Sequence, residues 1–189
     1  MLEHYWIDDT TEFESVVRQG FSEIKGATHT TDDEPPLDFR VAPSDKSNMA
    51  RYLFAGFNKC LTNVARFHSD SERRLVVILE REAQKWFRPA KGQFQIFYRS
   101  GNDLREYVPD FVAETNTEIL MLEPKMATQL KDPEVLAKQA AAVEWCAVAS
   151  KHAATCDSKP WRYVLIPHDQ ITDNMAIDFW SRLLGNRIA

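Results

Sequence analysis

Two short apolar runs joined by a polar link constrain the fold of this chain more than any other feature. The first run lies in Tyr107-Val-Pro-Asp-Phe-Val-Ala, and the second lies in Ile119-Leu-Met-Leu-Glu-Pro-Lys. The link between them, Glu114-Thr-Asn-Thr-Glu118, is short enough for the runs to pair as an antiparallel hairpin. In such a hairpin the start of the first strand and the end of the second meet at the same end of the sheet. Charged residues at those two points are therefore expected to be neighbours.

Asp110 begins the first run, and Glu123 and Lys125 end the second. Two neighbouring carboxylates form an oxygen-rich site that suits a hard divalent cation such as Mg²⁺, and Mn²⁺ accepts the same ligands. A lysine beside them can orient or activate a water molecule. This combination of groups is typical of the metal-assisted hydrolysis of a phosphodiester.

Hydrophobic periodicity predicts the remaining elements, with an amphipathic helix within residues 1–25 based on Phe13, Val16, Val17 and Phe21. Ser69-Asp-Ser-Glu72 matches a helix capping box, and Pro133 suits the first turn of a long helix. Pro109 predicts an edge, a bulge or a bend in its strand. Further helices are predicted over 49–67, 69–86, 133–151 and 171–184, and strands over 93–98, 105–114, 119–123 and 161–166.

The order of these elements predicts an α/β fold with a mixed sheet. Residues 26–48 are polar, acidic and interrupted by Pro35-Pro36, which is typical of a loop or linker. We therefore predict an N-terminal helical and linker segment over 1–48 and a single domain over 49–189. A chain of 189 residues with 44% hydrophobic residues has enough apolar side chains for one such core.

Cysteine use and hydropathy limit the setting of the protein. The three cysteines, Cys60, Cys146 and Cys156, are widely spaced and show no zinc-binding pattern, so reduced thiols are expected. No run of 18 apolar residues and no secretory signal occur in the sequence. These features favour a cytoplasmic protein with no membrane contact.

The charges are unevenly distributed, although the net charge is −5. Residues 51–105 contain 11 Lys and Arg against 5 Asp and Glu, whereas residues 1–50 contain 4 against 11. A basic segment directly before the acidic motif is what binding of a phosphate backbone beside a metal site requires. The alternative is that the basic side chains solvate helix surfaces.

At these residues the chain resembles a known family. Pro109-Asp110 followed by Glu123-Pro-Lys125 matches the PD-(D/E)xK nuclease pattern. Further motifs resemble the C-terminal endonuclease-like domain of type III restriction enzyme R (Res) subunits and related helicases, over roughly residues 49–169. These motifs are Phe94-Gln-Ile-Phe-Tyr, Ala140-Ala-Ala-Val-Glu-Trp-Cys and Trp161-Arg-Tyr-Val-Leu-Ile-Pro.

The resemblance implies a restriction-endonuclease-like core, with a mixed central sheet flanked by helices. It implies a metal-dependent DNA endonuclease domain from the C-terminal part of a type III restriction-type, ATP-dependent helicase and nuclease. Residues 1–48 would then be the tail of an upstream helicase region. No GxxxxGK[ST] phosphate loop occurs here, so the helicase motor, like the modification or specificity subunit, would be a partner.

The resemblance also implies roles for individual residues. Asp110 and Glu123 would be metal ligands, with Glu72 as a further acidic ligand and the backbone carbonyl of Pro124 completing the set. Lys125 would orient the attacking water and stabilise charge on the phosphate. Glu72 also has a structural alternative, because its position suits a capping-box partner, and Lys125 could be a salt-bridged surface lysine.

Six residues are candidates for contacts with DNA: Arg73, Arg74, Lys85, Arg88, Lys91 and Gln139. His29, His68, His152 and His168 show no ligand spacing and receive no role. The main alternative to catalysis is a silent nucleic-acid-binding or docking module of a helicase. The acidic net charge and the proline between Glu123 and Lys125 favour this alternative.

Overall fold

The computed structural model describes residues 2–6, 13–17, 24 and 35–184. Three helices occur in these residues, α1 (Asp70–Glu82), α2 (Pro133–Thr155) and α3 (Ile177–Leu184). The strands are β1 (Leu2–Trp6), β2 (Phe13–Val17), β3 (Leu37–Asp38), β4 (Leu53–Ala55), β5 (Ala65–Arg66), β6 (Lys85–Phe87), β7 (Ile96–Ser100), β8 (Asp103–Tyr107), β9 (Phe111–Glu114), β10 (Ile119–Lys125) and β11 (Trp161–Pro167). The chain therefore has a mixed α/β fold, as its sequence predicts.

The central sheet has four strands in the order β11, β10, β9, β6. β9 and β10 form the predicted antiparallel hairpin, in which Ile119 pairs with Glu114 and Leu122 pairs with Phe111. β11 lies parallel to β10 on its other side, with α2 as the crossover between them. The sheet is therefore mixed, and β10 is one of its two inner strands.

Side-chain alternation along β10 divides the core into two layers. Leu120 and Leu122 belong to a cluster that contains the apolar faces of α1 and α3, whereas Met121 belongs to a cluster that contains Trp145 of α2. Successive side chains of a strand point to opposite faces of the sheet, so both faces of β10 are buried. Helices therefore cover the sheet on both sides.

The predicted capping box begins α1. The backbone N–H of Glu72 donates to Ser69 Oγ at 3.2 Å, and the backbone N–H of His68 donates to Glu72 Oε2 at 3.1 Å. The side chain and backbone of Glu72 thus both stabilise the first turn. The apolar spacing within the helix predicted over 69–86 favours a buried face that includes Leu75, Val76, Ile78 and Leu79, and each of these residues is at most 1% exposed.

The start of α2 also follows its sequence signals. Pro133 occupies the first turn, and the Asp132 side chain accepts a hydrogen bond of 2.8 Å from the backbone N–H of Glu134. The helix ends at Thr155, four residues after the predicted end at Lys151. α2 is thus longer than its sequence pattern predicts.

The helix predicted over 49–67 is wrong. A 3-10 turn at Lys46–Arg51 leads into β4 and then β5, which form a small sheet with β3. Gly56, directly after β4, has a φ of +90°, a left-handed conformation that a continuous right-handed helix does not contain. The spacing of the apolar side chains arises from aromatic packing, because the Phe54 and Phe67 rings are 5.0 Å apart in the core.

The helix predicted within residues 1–25 is also wrong for the residues that the structure describes. Phe13–Val17 forms β2 and pairs antiparallel with β1. A short run rich in aromatic and β-branched residues fits either period, and pairing with β1 favours the strand. Phe21 lies outside the described residues. The boundary at 48/49 stays a prediction, although β3 before it pairs with β4 after it.

The strand predicted over 105–114 is divided at Pro109, which confirms the predicted bend. β8 before the bend pairs with β7 in a separate two-stranded sheet, and β9 after it joins the central sheet. The strands predicted over 93–98, 105–114 and 119–123 therefore do not lie in one sheet. One edge of the central sheet is β6, whose first two residues the sequence pattern placed in the helix predicted over 69–86; that helix ends at Glu82. The last helix, α3, begins at Ile177 instead of Ile171.

Among the described residues, no helix combines the length and the apolar character that crossing a membrane would require.

Candidate metal centre

The open end of the β9–β10 hairpin brings three of the predicted site residues together. The last pair of the hairpin is Leu122 with Phe111, so Glu123 and Asp110 are the next residues outward on each strand. Lys125 lies two residues beyond Glu123 and points to the same face of β10. The bend at Pro109 places Asp110 directly before β9, where the chain enters the central sheet.

Glu123, which is buried, and Lys125, which is partly exposed, form an ion pair. Lys125 Nζ lies 2.8 Å from Glu123 Oε1, and the hydroxyl of Tyr107 donates to Glu123 Oε2 at 2.9 Å. Burial alone would lower the pKa of Lys125, but the adjacent Glu123 carboxylate outweighs it and the pKa is raised. Lys125 is therefore a charged ammonium group held in a fixed position.

Asp110 lies in a more crowded electrostatic environment. Its carboxylate is 3.9 Å from Lys125 Nζ and 3.6 Å from Arg88 Nη2. Burial is the largest cause that raises the pKa of Asp110 to about 8, and the negative charges of Glu123 and Glu72 add to it. The two nearby cations oppose this shift without overcoming it. A group with such a pKa holds its negative charge at a cost in free energy, which a bound cation would relieve.

Glu72 reaches the same site from the first turn of α1. Its Oε2 atom lies 2.9 Å from Arg88 Nη1, and its side chain is 8% exposed. Arg88 in turn lies over the rings of Phe67 and Phe111 and donates to the backbone carbonyl of Arg66. The guanidinium group therefore lies between the carboxylates of Glu72 and Asp110 and holds them near each other.

His68 completes a group that the sequence did not identify. One ligand atom each from His68, Glu72 and Asp110 lies within 4.8 Å of the other two, so these residues could hold a metal ion. His68 lies at the end of the segment before α1, four residues before Glu72. That spacing is a weak sequence signal for a shared ligand site. Asp110 is distant along the chain, and the fold alone brings it to the histidine.

A cleft of about 350 Å³ opens beside this group. Its wall includes His68, Asp110 and Arg88, together with Arg66 and Pro109. Ligand atoms and cationic side chains thus face the same solvent-filled space. A phosphate group that enters this cleft would meet both.

The structure separates the six predicted DNA-binding residues. Arg73 is buried and donates to Asp70 and to the backbone carbonyls of Phe39 and Arg40, so its guanidinium is not available to a phosphate. Arg88 belongs to the carboxylate cluster. Arg74, Lys85 and Lys91 lie further out, where Arg74 is near Asp173 and Lys85 is near Glu114, and Gln139 is half-buried on α2.

Pro124 lies within β10 opposite Ile166 of β11. It is beyond the last residue of β10 that pairs with β9, so the missing N–H group removes no hydrogen bond from the hairpin. The strand therefore accepts the proline between the two functional candidates. The metal-binding role of its carbonyl stays a prediction.

Comparisons with protein-family models, with curated proteins and with solved structures find no match for this chain. The chemistry of the site is therefore argued from its own residues. Two carboxylates and one imidazole, beside a lysine and an arginine, form a donor set that fits a divalent cation and an anionic substrate together.

Proposed function

We propose that this chain is a metal-dependent endonuclease domain that hydrolyses DNA phosphodiester bonds, with a core of the restriction-endonuclease type. The observation that carries the proposal is the position of Lys125. Its ammonium group lies 2.8 Å from Glu123 and 3.9 Å from Asp110, at the point where the predicted motif residues meet. The pattern of Asp110 and Glu-x-Lys is thus matched by neighbouring side chains as well as by spacing.

Asp110 and Glu72 are the carboxylates best placed to hold Mg²⁺ or Mn²⁺, with Glu123 next to them. When bound, the cation would neutralise charge on the phosphate and acidify an attacking water. The crowding that raises the pKa of Asp110 supports this assignment. Three carboxylates near one another favour an added cation.

Lys125 would act through its charge and its hydrogen bonds. The pKa of Lys125 is raised because Glu123 and the other carboxylates outweigh its burial, so the group stays protonated at neutral pH. It would therefore donate to the water or to a phosphate oxygen, and stabilise the negative charge that develops there. Taking a proton from the water is a role that this charge state opposes.

The cleft beside Asp110 suits a phosphate group of the substrate. Arg66 and Arg88 line it, and each carries a guanidinium group with several N–H donors, some of which contact protein acceptors. The exposed Lys85 and Lys91 and the partly exposed Arg74 are candidates for contacts with more distant phosphates. In a complete restriction system, the resemblance implies that a helicase motor and a modification or specificity subunit act with such a domain in the cytoplasm.

Nicking of supercoiled plasmid in Mg²⁺ or Mn²⁺ tests the proposal. We expect metal-dependent nicking by the parent and a loss of about 100-fold or more in Lys125→Met, comparable with the loss of one transition-state donor. Lys151→Met is the matched control, because Lys151 is an exposed lysine of α2. It should retain the parental rate.

Thermal unfolding of each variant distinguishes loss of chemistry from loss of fold. A folded Lys125→Met protein that nicks at the rate of the parent would contradict the proposed role of Lys125. Absence of nicking by the parent over a range of DNA and metal concentrations would contradict an independently active nuclease.

A silent DNA-binding or docking module is the second candidate function. It is favoured by the internal neutralisation of the site, since Glu123 is engaged by Lys125 and Tyr107 and Glu72 is engaged by Arg88. Glu123 and Glu72 therefore each have a cationic partner in the absence of a metal. Gel-shift binding that persists in a chelator, together with no nicking and no Asp110-dependent metal binding, would favour this candidate.

A further inference from the structure

His68 occupies a position that differs from that of His152. Its imidazole is exposed, yet Nδ1 lies 4.0 Å from Glu72 Oε1 and the ring faces the cleft that contains Asp110. His152, by comparison, lies near the end of α2 with Cys156 as its neighbour. His68 therefore has access to the carboxylate cluster, whereas His152 is not part of that group.

We propose that His68, Glu72 and Asp110 form a mixed nitrogen and oxygen site that selects a transition-metal dication over Mg²⁺. This inference rests on the proposed metal-dependent function and identifies the class of cation that the site would take. An imidazole nitrogen is a better ligand for Mn²⁺ or Co²⁺ than for Mg²⁺, which prefers oxygen. The ligand set therefore favours Co²⁺ first, then Mn²⁺, then Mg²⁺.

Glu123 is expected to contribute less to metal affinity than its position in the motif of Asp110 and Glu-x-Lys would suggest. One of its oxygens is 2.8 Å from Lys125 Nζ, and the other accepts the hydrogen bond from Tyr107. A metal ion that recruited Glu123 would compete with these contacts and would lie directly beside the charged ammonium group of Lys125. His68 can approach without such a loss, because its side chain is 69% exposed.

The local charge balance also favours a neutral ligand. Glu72 and Asp110 already share the guanidinium group of Arg88, at 2.9 and 3.6 Å. Part of the attraction for a dication is therefore cancelled, which weakens binding that depends on charge alone. The imidazole adds a coordination bond without a further charge, and this bond matters most for metals with affinity for nitrogen.

Isothermal titration with CoCl₂, MnCl₂ and MgCl₂ tests the inference in the parent, His68→Ala, Asp110→Asn and the control His152→Ala. We expect His68→Ala to lose about tenfold in Co²⁺ affinity and less than about twofold in Mg²⁺ affinity. His152→Ala should match the parent for all three metals. The visible absorption of bound Co²⁺ should also change in His68→Ala, because one nitrogen ligand is removed.

The outcomes separate this inference from the proposed nuclease function. Co²⁺ binding that depends on Asp110 but is unchanged in folded His68→Ala would overturn the inference and leave the nuclease proposal intact. Co²⁺ binding that depends on both residues, in a protein that never nicks DNA, would support the inference and count against the nuclease. No Asp110-dependent binding of any of the three metals would overturn both.

Discussion

At the turn end of the β9–β10 hairpin, Glu114 lies between two lysines, whereas at the open end Asp110 lies among other carboxylates. Glu114 is 2.9 Å from Lys85 Nζ and 2.7 Å from Lys159 Nζ. Burial alone would raise the pKa of Glu114, but the hydrogen bonds from the two lysines lower it overall. The pKa of Asp110 is raised to about 8.

The two ends of one hairpin therefore differ in kind: the turn end has structural ion pairs, and the open end has a candidate functional site. At the turn end, the cations outnumber the carboxylate that they contact, so the charged form of Glu114 is stabilised. At the open end, the carboxylates exceed the nearby cations and the charged form of Asp110 is disfavoured. Strongly perturbed carboxylates in a cleft are typical of functional sites.

Among the substitutions that test this comparison, removal of Arg88 should change the free energy of unfolding most. We expect Arg88→Ala to lower the free energy of unfolding by about 3 kcal/mol without metal, because Glu72 would be left as an uncompensated buried charge. Addition of Mn²⁺ should recover part of this loss, since the cation would replace the missing counter-charge. Urea unfolding with and without Mn²⁺ measures both effects.

Arg162→Ala is the matched control at the turn end. Arg162 pairs with Glu118 at 2.7 Å but is 40% exposed, so its loss should change the free energy of unfolding by less than about 1 kcal/mol. A loss in Arg88→Ala as small as that in the control, or one that Mn²⁺ does not reduce, would remove the proposed distinction between the two ends.

Neutralisation of Asp110 should have the next largest effect, with the opposite sign. The folded pKa of about 8 is above the ordinary value, so the native protein binds this proton more tightly than the unfolded chain. Stability from this group is fully present below the unfolded pKa of about 4 and is lost as the pH rises through 8. Asp110→Asn should therefore stabilise the metal-free protein by at least about 1 kcal/mol at pH 9.

Urea unfolding of the parent and Asp110→Asn at several pH values measures this gain. The gain should be small at pH 5 and grow up to about pH 9. A variant that is less stable than the parent at pH 9 would contradict the proposed electrostatic crowding. The stabilised variant should also fail to bind metal, which is the expected conflict between stability and function.

Glu114→Gln should change the free energy of unfolding least, and it should lower it, unlike Asp110→Asn. The pKa of Glu114 is lowered in the fold, so its stabilising contribution is present above the unfolded pKa and is lost as the pH falls through the folded value. We expect a loss of under about 1 kcal/mol at pH 7, because both lysines are partly exposed. The loss should be smaller at pH 3 than at pH 7, and equal losses at both pH values would contradict this reason.

Features controlled by neighbouring residues were predictable from the sequence. The hairpin follows from two apolar runs and a short polar link, and the start of α1 follows from Ser69 and Glu72 in one helical turn. Asp110, Glu123 and Lys125 were placed together because strand pairing relates them directly. The same reasoning failed for residues 49–67, where the spacing of apolar side chains resembled a helix and reflected aromatic packing between distant segments.

The sequence by itself determined the local elements and the acidic motif of this protein, because alternation, capping and hairpin pairing depend on residues that are close along the chain. The tertiary structure decided which side chains share the site. It buried Arg73 in contacts with Asp70 and two backbone carbonyls, placed Arg88 between Glu72 and Asp110, and brought His68 to the same cleft. These contacts join α1 to the residue after β6 and to the bend before β9. Those segments are distant along the chain, so their side chains become neighbours only when the core packs.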